Sequence, residues 1–153
     1  MKAVVQRVKY ARLSINGELY SSIGQGFMTL IGIHENDDEH DLAYVVKKLT
    51  GLRVFEDENE KMNLSLDDIG GELMLVSQFT LYGDTSHGNR PSFIEAARPE
   101  KAIPLYEAAI AQLREKLGTE RVKTGVFGAD MQIELQNDGP VTILIDSSQM
   151  KGR

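Results

Sequence analysis

The sequence predicts an α+β fold, in which mixed or antiparallel β-sheets pack with two main helices. Three observations lead to this fold class. Two stretches repeat apolar residues at helical spacing, runs of β-rich sequence separate them, and no break in composition divides the 153 residues. Strands that occur in runs between helices favour α+β over a repeated βαβ unit. We therefore expect a single domain spanning residues 1–153.

The first part of the chain predicts strands. "KAVVQRV" is β-rich, and Asn16-Gly17 lies between two short extended segments, which is a strong signal for a β-hairpin. The following "GFMTLIGIH" predicts a buried strand. Further along, "LRVFEDENEKMNLSL" predicts two short strands joined by a charged loop.

Two helices follow from apolar spacing. After "HENDD", a first helix is predicted that ends near Gly51, with Asn36, Asp37 and Asp38 available for its cap and first turn. Its apolar positions are Leu42, Val45, Val46, Leu49 and Leu52. A second helix is predicted over residues 99–117. Because Pro104 removes an interior hydrogen bond, we expect its regular part to begin near Ile103 or to be kinked there.

Two further segments predict strands with polar residues inside them. "IGGELMLVSQFTLYG" predicts one long strand that is apolar on both faces at its start, so it is expected to be central and covered on both sides. Alternation then places Ser77 and Phe79 on one face and Gln78 and Thr80 on the other. "MQIELQNDGPVTILID" predicts a hairpin with its turn at residues 137–140.

Composition excludes several classes of function. The absence of cysteine excludes disulfides, thiolate catalysis and Cys-ligated zinc. A formal net charge of −6 argues against a protein that coats nucleic acid through a broad basic surface, although it permits a local basic patch. The N-terminal segment lacks the features of a signal peptide, and no run approaches the roughly 18 apolar residues of a membrane span. We expect a cytoplasmic protein.

Common cofactor and nucleophile motifs are missing. There is no G-x-S-x-G elbow, no Walker loop and no G-x-G-x-x-G after a strand. His34 and His40 are six residues apart, not the four that one helical face requires for a shared metal. We therefore expect no cofactor and no metal.

The polar residues near the end of "ELMLVSQFT" permit two interpretations. Either they lie at the solvent-exposed end of a strand, or they form a polar pocket in which backbone N–H groups face a developing oxyanion. Thr80 is a possible nucleophile, but a hydroxyl needs a base, and the nearest histidine in sequence is His87. Two other features also permit two interpretations. Arg7 is either an edge charge or part of a site. Gly139-Pro140 is either an ordinary trans turn or part of a site.

Four motifs taken together resemble the D-aminoacyl-tRNA deacylase family, formerly called D-tyrosyl-tRNA deacylases. They are "SQFTLYGD" at 77–84, "GNRPSF" at 88–93, "KTGVFGADM" at 123–131 and "NDGPVT" at 137–142, and the likeness extends over essentially the whole chain. The resemblance implies a barrel-like core and a cytoplasmic homodimer. It also implies hydrolysis of the ester that joins a D-amino acid, or glycine, to the 3′-terminal adenosine of tRNA, while L-aminoacyl-tRNA is spared.

The resemblance also implies residue roles. Gly139-Pro140 would be a cis pair that each subunit inserts into its partner's active site, and Arg7 would orient its carbonyls. The catalytic segment would be Ser77, Gln78, Phe79 and Thr80. The partners implied are a second copy of the chain and the aminoacyl-tRNA 3′ end, with no membrane and no DNA.

Two mechanisms and one competing function stay open. Water attack, helped by the N–H groups of Phe79 and Thr80 and by the adenosine 2′-hydroxyl, competes with a Thr80 acyl-enzyme. Because fold alone does not fix activity, a non-catalytic module that binds RNA ends or proteins is the alternative function.

Overall fold

A six-stranded mixed sheet, a small two-stranded sheet and two helices form the fold in the computed structural model, which describes residues 1–150. The strands are β1 (Lys2–Ile15), β2 (Glu18–Ile23), β3 (Gly26–Gly32), β4 (Phe55–Glu56), β5 (Met62–Leu64), β6 (Glu72–Ser77), β7 (Val122–Thr124) and β8 (Met131–Asp146). The helices are α1 (Glu39–Gly51) and α2 (Pro99–Leu117), with 3-10 turns at Phe79–Tyr82, Thr119–Arg121 and Ser147–Gln149. The predicted α+β class with two main helices is confirmed.

Strand β1 is the centre of the main sheet. One of its edges pairs antiparallel with β3 through its first half and with β2 through its second half, while the other edge pairs with β8. The predicted hairpin turn is present, with φ of 53° at Asn16 and 79° at Gly17, as a tight type I′ turn requires. Strands β3, β6 and β7 pair in parallel, which makes the sheet mixed.

The sheet curls into a nearly closed barrel. In strand order β2 and β7 are the two ends of the path β2-β1-β3-β6-β7. The Ser21 hydroxyl on β2 nevertheless donates a 2.9 Å hydrogen bond to the Thr124 carbonyl on β7. This bond brings the two ends together and gives the barrel-like core that the resemblance implied.

Strand β6 is buried on both faces, as its sequence predicted. Leu73 and Leu75 pack into the larger core together with both helices, whereas Met74 and Val76 pack into a second apolar cluster on the opposite face. The backbones of β3 and β6 approach closely at Gly26, where an added Cβ would lie 1.8 Å from the Glu72 carbonyl oxygen. Only glycine fits this position.

Both helices form where the spacing predicted them. Asp38 is the N-cap of α1 and forms a capping box with Asp41, so the first turn is satisfied by side chains. Helix α2 begins at Pro99, a favoured first position, and continues through Pro104. Of the two expectations for Pro104, a regular helix that begins near Ile103 is therefore wrong, and a kink there stays a prediction. Among residues 1–150, neither helix combines the length and apolar character needed to cross a membrane.

Two strand predictions are also wrong. The segment 131–146 is one continuous strand and not a hairpin, because the long β1 offers pairing partners to both of its halves. The long strand predicted to run through residue 82 ends at Ser77, and the chain turns into a 3-10 helix at Phe79. The two-faced alternation of residues 79–82 is therefore absent.

Candidate active site at the end of strand β6

The candidate site begins where β6 leaves the sheet. Ser77 makes the last pair of the β3–β6 ladder, opposite Ile31. The Gln78 N–H still donates to the Ile31 carbonyl, at 2.7 Å, and the chain then turns into the 3-10 helix. Ser77 and Gln78 are half-buried, whereas Phe79 and Thr80 are exposed. The predicted site residues, Ser77–Thr80, thus form an open surface at the end of β6, which we call the ledge.

Two neighbouring backbone donors on this ledge are unused. Leu81 N–H donates to the Gln78 carbonyl at 3.2 Å, and Gly83 N–H donates to the Thr80 carbonyl at 2.9 Å. Within residues 1–150, the N–H groups of Phe79 and Thr80 have no hydrogen-bond acceptor. The first N–H groups of a helical turn lack an internal partner, and together they form a site for a negatively charged oxygen.

The Thr80 hydroxyl has an amide as its partner and no base. The Gln78 side-chain Nε2 donates to Thr80 Oγ1 at 2.5 Å. In the part of the chain that the structure describes, no carboxylate and no histidine, His87 included, is hydrogen-bonded to Thr80. Because a hydroxyl nucleophile requires a proton acceptor, this arrangement favours the main chain of Thr80 over its side chain.

Tyr82 fixes the ledge to the core. Its ring is buried, lies edge-on to His34 with ring centroids 5.2 Å apart, and carries the Lys2 ammonium 4.8 Å from its centroid. Burial, with the nearby carboxylates of Asp37 and Asp146, raises the pKa of the Tyr82 phenol above its ordinary value. The 3-10 turn that carries the free N–H groups is therefore held by a neutral, buried aromatic side chain.

An aromatic pair borders the ledge. Phe79 is 54% exposed, and its ring meets that of Phe93 edge-on, with centroids 5.1 Å apart. The intervening loop is closed by two backbone hydrogen bonds between Asp84 and Ser92, of 2.8 and 2.9 Å. A Cβ at Gly83 would lie 3.0 Å from the Phe93 ring, so the loop base packs tightly on the site. The sequence predicted a role for Phe79 but none for Phe93.

The motif around Gly139 forms a bulge in β8. Gln6 pairs with Thr142 and Val8 pairs with Asn137, so the four residues 138–141 lie opposite Arg7 alone. The Gly139-Pro140 peptide bond is cis, as the resemblance implied, and both residues are exposed. The Asn137 side-chain amide donates to the carbonyls of Arg7 and Val141, at 3.0 and 3.2 Å. The turn-forming residues thus produce a projection from a paired strand.

Arg7 holds one end of the bulge. Its side chain is buried, Nε donates to the Asp138 carbonyl at 2.9 Å, and Nη1 donates to the Val54 carbonyl at 2.6 Å. Nη2 lies 3.7 Å from the exposed Glu56 carboxylate. Arg7 is therefore not an edge charge. Within residues 1–150 it donates to one carbonyl of the bulge, that of Asp138, and not to the Gly139 or Pro140 carbonyls that the resemblance implied. Val54 acts through its carbonyl, which any residue provides, so the sequence carried no signal for it.

The two motifs do not meet within one chain. The bulge lies on the row of Arg7, Phe27 and Leu73, whereas Ser77 lies four residues further along β6. Three strand spacings also separate β8 from β6. With about 3.3 Å per residue and about 4.8 Å per strand, the separation along the sheet is on the order of 20 Å. A single subunit does not bring Gly139-Pro140 to Thr80.

Comparison with known proteins agrees with these features. Residues 4–146 match the family described as D-Tyr-tRNA(Tyr) deacylase. Relatives named D-aminoacyl-tRNA deacylase include one from Thermus aquaticus, 54% identical with 99% of each chain covered, and one from Porphyromonas gingivalis, 56% identical with 96% of this chain and 97% of the relative covered.

Solved structures have the same fold. A protein titled "c-Myc DNA Unwinding Element Binding Protein" superposes with a TM-score of 0.91 and 45% identity, over 95% of this chain and 98% of that one. A probable eukaryotic D-amino acid tRNA deacylase superposes with a TM-score of 0.82, over 94% of this chain and 97% of its own, but at 18% identity it shows the fold alone. By its sequence, over almost its entire length, the chain belongs to the D-Tyr-tRNA(Tyr) deacylase family.

Proposed function

We propose that the protein is a D-aminoacyl-tRNA deacylase, an editing hydrolase that splits the ester of D-aminoacyl-tRNA into a free D-amino acid and tRNA. Family membership supports this function, as do the names of relatives at about 50% identity. The structural observation that carries it is the pair of unused N–H groups of Phe79 and Thr80 at the end of β6. Two such donors suit the oxygen that becomes negative during ester hydrolysis.

The proposed chemistry is direct attack by water. Water adds to the ester carbonyl, the carbonyl oxygen accepts hydrogen bonds from Phe79 and Thr80, and the bond to the ribose 3′-oxygen breaks. The water proton is transferred to that leaving oxygen. Because no protein base adjoins Thr80 within residues 1–150, the neighbouring 2′-hydroxyl of the adenosine positions the water.

Selection against L-amino acids is assigned to a second subunit. In this proposal the Gly139-Pro140 bulge of one subunit reaches the Phe79–Thr80 ledge of the other, and its main-chain carbonyls crowd an L side chain. Glycine, which has no side chain, is accepted together with D-amino acids. The exposed bulge and its distance from the ledge in one chain support a homodimer with two shared sites.

The decisive experiment compares D- and L-aminoacyl-tRNA. Matched tRNAs carrying D-tyrosine, L-tyrosine or glycine are incubated with purified protein, and loss of the ester is measured. We expect hydrolysis of the D-tyrosyl and glycyl esters and sparing of the L-tyrosyl ester. Equal rates on the two tyrosyl esters would refute the chiral filter, and no hydrolysis of any ester would refute the enzyme itself.

A non-catalytic nucleic-acid-binding role is the second candidate, and one observation favours it. The solved relative at 45% identity carries a title that describes DNA binding. Against it, a net charge of −6 is a poor match for a surface that binds duplex DNA. Tight binding of duplex DNA together with absent ester hydrolysis would favour this role over the deacylase.

A further inference from the structure

The loop between the 3-10 turn and the second helix, together with the residue that follows it, carries a cation and an aromatic ring that the hydrolytic mechanism does not use. This loop, Asp84–Ser92, is closed at its base by the backbone bonds between its two end residues. Its exposed tip carries His87 and Arg90. Within residues 1–150, neither side chain makes an ion pair or a hydrogen bond. A charged tip is thus presented to solvent beside the site.

The loop has a fixed position relative to the reacting ester. Phe93, the next residue after the loop, packs edge-on against Phe79, one of the two residues with a free N–H. Arg90 is three residues earlier, so its backbone lies within about 10 Å of the aromatic pair. The loop's own acid, Asp84, accepts a 2.9 Å hydrogen bond from Ser86 N–H, which directs this carboxylate into the loop.

The charge of the whole molecule makes a local cation important. With a net charge of −6, the protein repels a polyanion on average. Single-stranded nucleic acid is held by cations along its backbone and by aromatic rings on which bases stack. Arg90 and the partly exposed Phe93 provide one group of each kind next to the ledge.

We propose that the Asp84–Ser92 loop and Phe93 form a second contact surface for the single-stranded 3′ end of tRNA, upstream of the terminal adenosine. Arg90 binds a backbone phosphate there, and the open side of the Phe93 ring stacks on a base. Both are positioning residues, because they touch the RNA and not the ester. The inference rests on the proposed function, since it places the ester on the ledge.

The test separates phosphate binding from chemistry by using two substrates. Arg90→Gln removes the cation, and Arg12→Gln is the matched control because Arg12 is exposed and paired with Glu134 on another part of the sheet. Each variant is assayed on D-tyrosyl-tRNA and on D-tyrosyl-adenosine, which has no phosphate. We expect Arg90→Gln to raise KM for the tRNA roughly two- to fivefold, the range of an exposed ion pair, with kcat unchanged.

Salt dependence gives an independent readout. For D-tyrosyl-tRNA, the slope of log kcat/KM against log salt concentration should become shallower by about 0.7 in Arg90→Gln, as expected for one lost contact to a single strand. On D-tyrosyl-adenosine, Arg90→Gln and wild type should be equal. Equal KM values and slopes on tRNA would overturn the proposal, as would an equal loss on both substrates.

Direct binding tests the inference apart from the enzyme. A 5′-labelled RNA oligonucleotide ending in CCA is titrated with wild type, Arg90→Gln, Phe93→Leu and Arg12→Gln, and fluorescence anisotropy is recorded. We expect weaker binding by the Arg90 and Phe93 variants only. If wild type hydrolyses no ester but shows this pattern, the deacylase proposal fails and the contact surface stands; equal binding by all four proteins refutes the surface.

Discussion

In the proposed mechanism, Thr80 contributes to the candidate site through its backbone N–H and not through its hydroxyl. The hydroxyl accepts a hydrogen bond from the Gln78 amide and has no base within the described chain. We expect Thr80→Ala to keep kcat on D-tyrosyl-tRNA within about tenfold of wild type, because a water mechanism needs only the N–H. The measurement is single-turnover ester hydrolysis.

Trapping experiments test the alternative mechanism, in which Thr80 forms an acyl-enzyme. Quenched reactions of wild type with D-tyrosyl-tRNA are examined by mass spectrometry for an acyl group on Thr80. A trapped acyl-Thr80 would establish the acyl-enzyme and exclude direct attack by water. Complete inactivity of the correctly folded alanine variant would show that the hydroxyl is essential and would contradict the expected result.

Phe79 offers a sharper test of the oxyanion site. It is the first residue of the 3-10 turn, a position whose backbone angles suit proline, and its N–H has no partner among residues 1–150. Phe79→Pro removes both the N–H and the ring, whereas Phe79→Ala removes only the ring. We expect the proline variant to lose a further 10²- to 10³-fold in kcat, roughly the effect of one oxyanion donor.

One kinetic comparison of the two Phe79 variants can confirm or contradict this expectation. Circular dichroism and denaturant unfolding verify that both variants are folded, and kcat is then compared on D-tyrosyl-adenosine. Equal kcat values for the two variants would show that the Phe79 N–H does not stabilise the transition state.

The junction of β3 and β6 depends on one glycine. A Cβ at Gly26 would lie 1.8 Å from the Glu72 carbonyl oxygen, so Gly26→Ala forces the two parallel strands apart. We expect a loss of at least about 3 kcal/mol in the free energy of unfolding, or no folded protein. Gly51→Ala at the end of α1 is the control, since nothing lies within 4 Å of its added Cβ. Urea unfolding measures both, and similar stabilities would contradict the close approach.

Helices were easier to predict than the two strands that carry the site motifs. Apolar spacing and an N-cap specify α1 locally, so Glu39–Gly51 followed from the sequence. Residues 137–140 are turn formers, but β1 pairs with the strand on both sides of them and converts the turn into a bulge. Pairing between residues more than a hundred positions apart is a tertiary effect that local pattern does not contain.

For the candidate site, the family motifs predicted residues but local pattern did not predict geometry. The predicted residues, which stay a prediction, are Ser77 through Thr80, Gly139-Pro140 and Arg7. Alternation extended β6 too far, because the change to a 3-10 turn after Gln78 has no periodic signature. The free N–H groups that carry the proposed chemistry exist only because the strand ends there.

The assembled molecule is expected to have sites shared between two subunits. Gly139→Ala places a Cβ 2.6 Å from Asn137 Oδ1 and Val141 N, so it disturbs the bulge, while Phe79→Pro disables the ledge. Each variant alone should be inactive. After co-refolding in equal amounts, half of the dimers are mixed and each has one intact site, so roughly a quarter of wild-type activity should return.

The control for this experiment is each variant co-refolded with itself. Light scattering before the assay determines whether the protein is dimeric. A monomeric protein, or no recovery of activity in mixed dimers that form normally, would show that the bulge and the ledge do not share a site.

Stability of the whole molecule should fall at alkaline pH because of a buried tyrosine. Burial raises the pKa of Tyr106 from 10.0 to about 12, and its hydroxyl donates to the Leu75 carbonyl at 2.7 Å. Above pH 10 the unfolded chain loses this proton while the folded one keeps it. The stabilisation, on the order of 2 kcal/mol, is thus complete below about pH 10 and is lost as pH rises to about 12.

Urea midpoints measured from about pH 8 to about pH 12 test this expectation. Tyr106→Phe should be less stable at neutral pH because the Leu75 carbonyl loses its donor, but its alkaline decline should be shallower than that of wild type. If the urea midpoint falls equally with rising pH in the two proteins, ionisation of Tyr106 is not the cause of the loss of stability at alkaline pH.

The central position of β1 has a consequence for protein synthesis. Lys2–Ile15 is synthesised more than a hundred residues before the strand that pairs its second edge, which ends at Asp146. On the ribosome, β1 can pair with β2 and β3 first, but its other edge has no partner until residues 131–146 have emerged. An unpaired edge of this length is prone to associate with other chains. The interval before β8 is released is therefore when a nascent chain most needs protection by a chaperone.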